Sequence, residues 1–149
     1  AYQVRRCDLA RVGFRLGIAI VIVLDTHVWV WWVHGDARLS DAHVQIIAQH
    51  EQLEIGVSAI SLWEIAKLVE LGRLVLPVAI DQWFTTALAY PGVTVIELSP
   101  GIAVESTQLP GSFHRDPADQ IIVASARILG CDLITADARI QNYPHVNTP

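Results

Sequence analysis

In 149 residues the chain has no methionine, two cysteines and a single lysine, Lys67. Cys7 and Cys131 are too few for a disulfide framework, so the small disulfide-stapled secreted classes are excluded and a reducing cytoplasm is expected. Charged residues are scarce, at 17% against 52% hydrophobic. That balance excludes disordered chains, and the length is enough for one domain with its own core. Long apolar runs are missing too. Ile18–Leu24 is only seven residues and ends at an aspartate. It is too short to cross a bilayer, and no small-residue cleavage site follows it, so neither a membrane span nor a secretory leader is expected.

Several catalytic signatures are also absent. There is no glycine-rich phosphate loop of either common type and no G-x-S-x-G serine elbow. The six histidines show neither H-E-x-x-H nor a zinc spacing with cysteine. Asp25-Thr26 is followed by His27 rather than a second aspartate, which excludes the common aspartyl-phosphotransfer pattern.

Positive charge is short overall, with a formal net charge of -5, and this argues against a generic nucleic-acid binder. The distribution says more. Residues 1–20 carry Arg5, Arg6, Arg11 and Arg15 against Asp8 alone, a balance of +3, so the other 129 residues stand at -8. We read residues 1–19 as an extension, appended or translated from upstream, and residues 20–149 as the domain.

What is present is an alternation of short apolar segments with helical patterns. Ile18–Leu24, Glu54–Val57, Val93–Leu98 and Asp132–Thr135 read as strands, rich in Ile and Val. His27–His34, Asp41–Glu51, Leu62–Leu71, Val78–Ala89, Pro100 to about Gln108, Ala118–Leu129 and Ala136–Ile140 read as helices. Ser40 and Ser99 stand at N-cap positions, Ser61 with Glu64 fits a capping box, and Gly72 and Gly130 are stops. Val146 is expected on a final edge strand. The pattern predicts an α/β fold with a mainly parallel sheet and helices on both faces.

Four acids recur at the ends of these elements: Asp25 in VIVLDTH, Glu64 in SLWEIAK, Asp119 in HRDPADQII and Asp137 in LITADARI. Asp116 stands beside Asp119. In an open α/β sheet the functional crevice lies beyond the C-terminal strand ends, where all five would meet. Carboxylates repel one another and resist burial, so gathering them points to a hard divalent cation. Singly, Glu64 is also a capping-box residue, Asp116 and Asp119 are also first-turn helix acids, and Asp137 is also a turn residue. Asp25, directly after seven apolar residues, is the hardest to read as structural.

With these residues in view, the chain resembles the PIN-domain ribonucleases, in particular the VapC-type toxins of VapBC toxin–antitoxin pairs. The resemblance runs from about Ile20 to the C-terminus. It rests on LDTHVWVWW, VSAISLWEIAKLVELGRL, HRDPADQIIVASA and LITADARI, in order and spacing. It implies a three-layer α/β/α fold and a Mg2+ or Mn2+ site of Asp25, Glu64, Asp119 and Asp137, with Asp116 as a fifth acid. Thr26, Ser61 and Thr135 take the small hydroxyl positions beside them. It also implies hydrolysis of RNA phosphodiesters, a homodimer and a cognate VapB-like antitoxin. Arg115, Arg139, Lys67 and Arg73 are the nearest basic residues for flanking phosphates. The alternatives are a non-toxin nuclease acting in RNA processing or on DNA, and a non-catalytic binding module. Five tryptophans add a further expectation. Trp29, Trp31 and Trp32 cannot share one helix face, so at least one should be exposed or at an interface.

Overall fold

The computed structural model describes residues 20–51 and 53–149. The expected extension 1–19, with Cys7 and the first two residues of the first expected strand, lies outside them. Four short strands are present: β1 (Ile22–Leu24), β2 (Ile55–Ser58), β3 (Val93–Ile96) and β4 (Asp132–Ile134). They form one parallel sheet in the order β3-β2-β1-β4. Parallel pairing needs crossovers, and these are helices: α1 (Thr26–His34), α2 (Asp41–His50), α3 (Ala59–Glu70), α4 (Ile80–Leu88), α5 (Pro100–Ser106), α6 (Pro117–Leu129) and α7 (Ala138–Gln141).

The sheet separates two apolar clusters, and the period of two along each strand sorts its side chains between them. Ile22 and Leu24 of β1 face Val28, Trp29, Ile47, Ile65 and Trp83, from helices α1 to α4. Val23, between them, faces Ile102, Ile122, Val123 and Ile140, from α5, α6 and α7. All three strand residues are at most 1% exposed. The outcome is three layers, helix–sheet–helix, as expected. Gly56 of β2 has a packing reason. A Cβ there would stand 2.7 Å from Ile96 Cδ1 and 2.8 Å from Ile20 Cγ2. Among the described residues no helix is long and apolar enough to cross a membrane.

Two expected details are corrected, the start of α3 and the place of Val146. Helix α3 begins at Ala59, with Ser58 as its N-cap, so Ser61 lies inside the helix and makes no capping box. The Ser58 hydroxyl accepts the Ile60 N–H at 3.3 Å and fixes that earlier start. Val146 is on no strand. The Asn147 carbonyl accepts the Leu133 N–H at 2.9 Å, one bond beside β4 that no ladder extends. Of the tryptophans, Trp29 is fully buried and Trp31 and Trp32 are half-buried, while the exposed one is Trp63, at 58%. Trp29 packs on Trp83 and Trp32 on Tyr90, while Trp31 lies against His27 and under Arg38, so three indoles that point different ways are each partly or fully covered.

Candidate active site

Strand β1 ends at Leu24 and Asp25 caps α1. Asp25 Oδ1 accepts the Thr26 N–H at 2.8 Å, and Oδ2 accepts the Thr135 hydroxyl at 2.7 Å. The Asp25 amide donates to the Ile134 carbonyl at 3.0 Å, so this acid is fixed between the ends of two neighbouring strands. It is 6% exposed. Burial raises its pKa, the Thr135 bond opposes that rise, and the charge of Asp119 adds to it. The Thr135 hydroxyl also accepts the Asp137 N–H at 3.0 Å, which ties the loop after β4 to Asp25.

Glu64 reaches the same end of the sheet from α3. The Thr26 hydroxyl donates to Glu64 Oε1 at 2.6 Å, which leaves the buried Ser61 hydroxyl, 2.8 Å away, to donate to Thr26. Burial pushes the Glu64 carboxyl up to about 7, against the Thr26 bond and with the help of Asp25, Asp119 and Asp116. Asp119 lies in the first turn of α6, whose N-cap is Asp116. Asp116 Oδ1 accepts the amides of Ala118 at 3.0 Å and Asp119 at 3.3 Å, and so anchors the start of the helix. Asp119 Oδ2 lies 2.6 Å from His114 Nε2. Burial raises the Asp119 pKa and the His114 bond lowers it. Asp137 caps α7, and its neighbour Arg139 folds back on it at 2.8 Å, which holds that carboxyl below the usual range. The same guanidinium stands 3.6 Å from Asp119.

Asp25, Glu64, Asp116, Asp119 and Asp137 thus line one open cavity of about 300 Å³, with His27, Trp31, Ala136 and Arg139. Thr26, Ser61 and Thr135 form the hydroxyl layer behind the acids. Of the basic residues singled out in sequence, Arg139 lines this cavity, while Lys67, Arg73 and Arg115 do not. Lys67 pairs with Glu70 on the exposed side of α3. Two other cavities, lined by Glu105, Arg127 and Asp132 and by Val33, Val75 and Trp83, lie away from the acids. Sequence reasoning gave no role to Trp31 or to the His114–Asp119 bond. Trp31 was findable, because His27 and Trp31 are spaced i, i+4 just after Asp25. His114 was not, because it sits in an irregular loop with no period.

The donors are hard carboxylate oxygens, the chemistry that suits Mg2+ or Mn2+. Among the described residues no three His, Cys, Asp or Glu side chains stand together as a ready metal cage. The acids are turned toward Thr26, Thr135, His114 and Arg139 instead. Those contacts are single hydrogen bonds and ion pairs, so the donor set fits the cation and the side chains would have to turn to it.

An α/β/α sandwich with a four-stranded parallel sheet and acids clustered at its C-terminal edge defines a PIN-type fold, and the chain belongs to the PIN domain family, whose profile matches residues 22–146. It is 36% identical over 124 residues to ribonuclease VapC22 of Mycobacterium tuberculosis, covering 83% of this chain and 92% of that protein. In structure it is similar to VapBC2 of Rickettsia felis bound to a promoter DNA fragment, with a TM-score of 0.63, 15% identity and coverage of 87% of this chain and 98% of that one. A toxin–antitoxin complex of Klebsiella pneumoniae matches with a TM-score of 0.60 and 23% identity, over 86% of this chain and 97% of that one.

Proposed function

We propose that this protein is a divalent-metal-dependent endoribonuclease, the toxin of a VapBC-type pair, which hydrolyses RNA phosphodiesters in the acid-lined cavity. One observation carries the reading: five acids from four separate segments line a single cavity at the strand ends of a PIN-family fold. The kinship to a ribonuclease supplies the substrate class.

Asp25 and Asp119 are the primary ligands in this reading, with Asp137 and Glu64 completing or orienting the site and Asp116 as a fifth acid. A bound Mg2+ or Mn2+ would make water a nucleophile at neutral pH and neutralise charge at the scissile phosphate. The protein's own groups do the rest. Thr26 N–H and the Thr135 hydroxyl lock the Asp25 carboxylate in one orientation. Glu64, held by the Thr26 hydroxyl at the cavity, would take a proton from the attacking water. Arg139, which lines the cavity, would meet a phosphate of the RNA once a cation takes its place at Asp137 and Asp119. Thr26, Ser61 and Thr135 are positioning residues.

The test is Asp25→Asn, which keeps the side-chain shape and removes the charge. Mg2+-dependent cleavage of RNA should fall by at least about a hundredfold with the circular-dichroism spectrum unchanged, and EDTA should do the same to the unaltered protein. Retained cleavage in D25N overturns the assignment.

The partners follow the same reading: RNA, a VapB-like antitoxin and a second copy of the chain. Structural kinship to toxin–antitoxin complexes supports the antitoxin. The exposed apolar residues Trp63, Leu71, Val75 and Val78 supply surface for such contacts. A cytoplasmic setting fits the free thiol of Cys131. Residues 20–149 are read as the nuclease domain, and the family match over residues 22–146 supports that reading.

A further inference from the structure

Single-stranded RNA is held by aromatic rings under its bases and by cations at its phosphates. The body of this chain is acidic, and its cavity is lined by five carboxyl groups. Against that background one strip beside the cavity carries aromatic rings and a guanidinium paired with Asp36. Trp31 lines the cavity while the rest of its indole packs on the core, so the ring is held in place and partly open. His27, one helical turn earlier and exposed, lies with its ring 5.9 Å from that of Trp31, tilted by 51°. Beyond α1 the Arg38 guanidinium stands over the Trp31 ring at 5.3 Å. Arg38 has a side chain 68% exposed, yet it is not loose. Its Nε and Nη2 grip Asp36 at 2.7–3.2 Å, which fixes the planar fork, and Nη1 takes no part in that pair.

The sequence explains the arrangement. His27 and Trp31 share a helix face through their i, i+4 spacing. Gly35, in the left-handed conformation, ends α1 and turns the chain so that Asp36 and Arg38 come back over it. The Trp31 carbonyl accepts the Asp36 N–H at 2.9 Å and closes that turn.

We infer that His27, Trp31 and Arg38 form a nucleotide-binding strip beside the acid-lined cavity, in which the exposed Arg38 side chain turns from the Trp31 face it covers to meet a phosphate and an unpaired base next to the scissile phosphate stacks on Trp31 in its place. The inference rests on the ribonuclease reading of the same cavity. Trp31 is then a positioning residue. It sets where the strand crosses the acids and favours sites with an unpaired base at that step. Duplex RNA, whose bases are already stacked on one another, would not engage it.

The test uses the Asp25→Asn protein, which holds substrate without cleaving it, with a labelled single-stranded RNA of mixed sequence followed by fluorescence anisotropy in Mg2+. Adding Trp31→Leu should weaken binding by about five- to 150-fold, since one base stacked on an aromatic ring contributes that much. Trp31→Phe should stay within about threefold of the parent. An abasic nucleotide scanned along the strand should weaken the parent at one position and leave the Trp31→Leu protein indifferent there. Arg38→Gln should make the salt dependence shallower by about 0.7 in log–log slope, the value of one phosphate contact on a single strand. Equal RNA affinity of the parent and the Trp31→Leu protein overturns the inference. If Trp31→Leu does not fold, an unchanged salt slope in Arg38→Gln overturns it. A D25N protein that binds no single-stranded RNA at all fails the ribonuclease reading itself and takes the inference with it.

Discussion

Replacing Glu64 by Gln should stabilise the metal-free protein at pH 8. The Glu64 carboxyl titrates at about 7 in the folded chain against an ordinary 4.5, chiefly because it is buried and secondly because Asp25, Asp119 and Asp116 repel its charge. The folded form therefore binds more protons than the unfolded form between about 4.5 and 7. Its contribution to stability is full below about 4.5 and is lost as the pH rises through about 7. At about 1.4 kcal/mol per unit the full difference would be about 3.5 kcal/mol, but the side chain is partly open to solvent and screening brings it to about 1–2 kcal/mol. Gln keeps the shape and can still accept the Thr26 hydroxyl, so the charge is what changes. The assay is thermal unfolding in EDTA from pH 5 to 8.5. Glu64→Gln should match the parent near pH 5 and exceed it by about 2–8 °C at pH 8. Mg2+ added at pH 8 should favour the parent, because only the parent then has the full donor set. Parallel pH profiles for the two proteins would refute the reasoning, since they would show that Glu64 ionises without hindrance.

Arg139→Gln should bind Mn2+ about three- to tenfold more tightly by calorimetry, because the guanidinium that now neutralises Asp137 and Asp119 competes with the cation. It should also bind RNA more weakly. Thr135→Val removes the donor to Asp25, so metal binding should require a higher pH, read as a shift of the Mn2+ affinity profile. Gly56→Ala should cost about 1–3 kcal/mol in urea unfolding, because the added methyl meets Ile96 and Ile20 in a filled core. A chain lacking residues 1–19 should fold and cleave RNA like the full chain, with loss of folding as the refuting result.

Much of the fold was legible because its signals are local. The Ile and Val runs gave every strand, and Gly72 and Gly130 gave helix ends that the structure realises with positive φ. The start of α3 was misjudged by three residues for a physical reason. Ser58 and Ser61 are both credible caps, and only the sheet register, which ends β2 at Ser58, chooses between them. Edge position was illegible in the same way. Val146 packs on the core like a strand residue, but pairing depends on backbone direction, which side-chain pattern does not encode. At the site, Asp25, Asp116, Asp119 and Asp137 could be named because each stands at an element's end, and Glu64 because the misplaced start of α3 put it there too. Their restraints could not all be named. Thr135 to Asp25 spans 110 residues and Thr26 to Glu64 spans 38, distances that no sequence period reaches.

Those restraints also bear on why the acids can be gathered at all. Each carboxyl is held by a different partner: Asp25 by Thr135, Glu64 by Thr26, Asp119 by His114 and Asp137 by Arg139. Thr26 and Thr135 are buried hydroxyls, and only Arg139 among the four partners carries a permanent positive charge. The result is uneven. Asp137, paired with Arg139, ionises readily, while Asp25, Glu64 and Asp119 all resist ionisation. A cavity whose acids resist charge without a cation must bind that cation with release of protons, so affinity climbs as the pH rises through the Glu64 titration at about 7. The folding cost of assembling the acids and the affinity for the cation are then two views of one free energy. A substitution that relieves the first, such as Glu64→Gln, has to weaken the second.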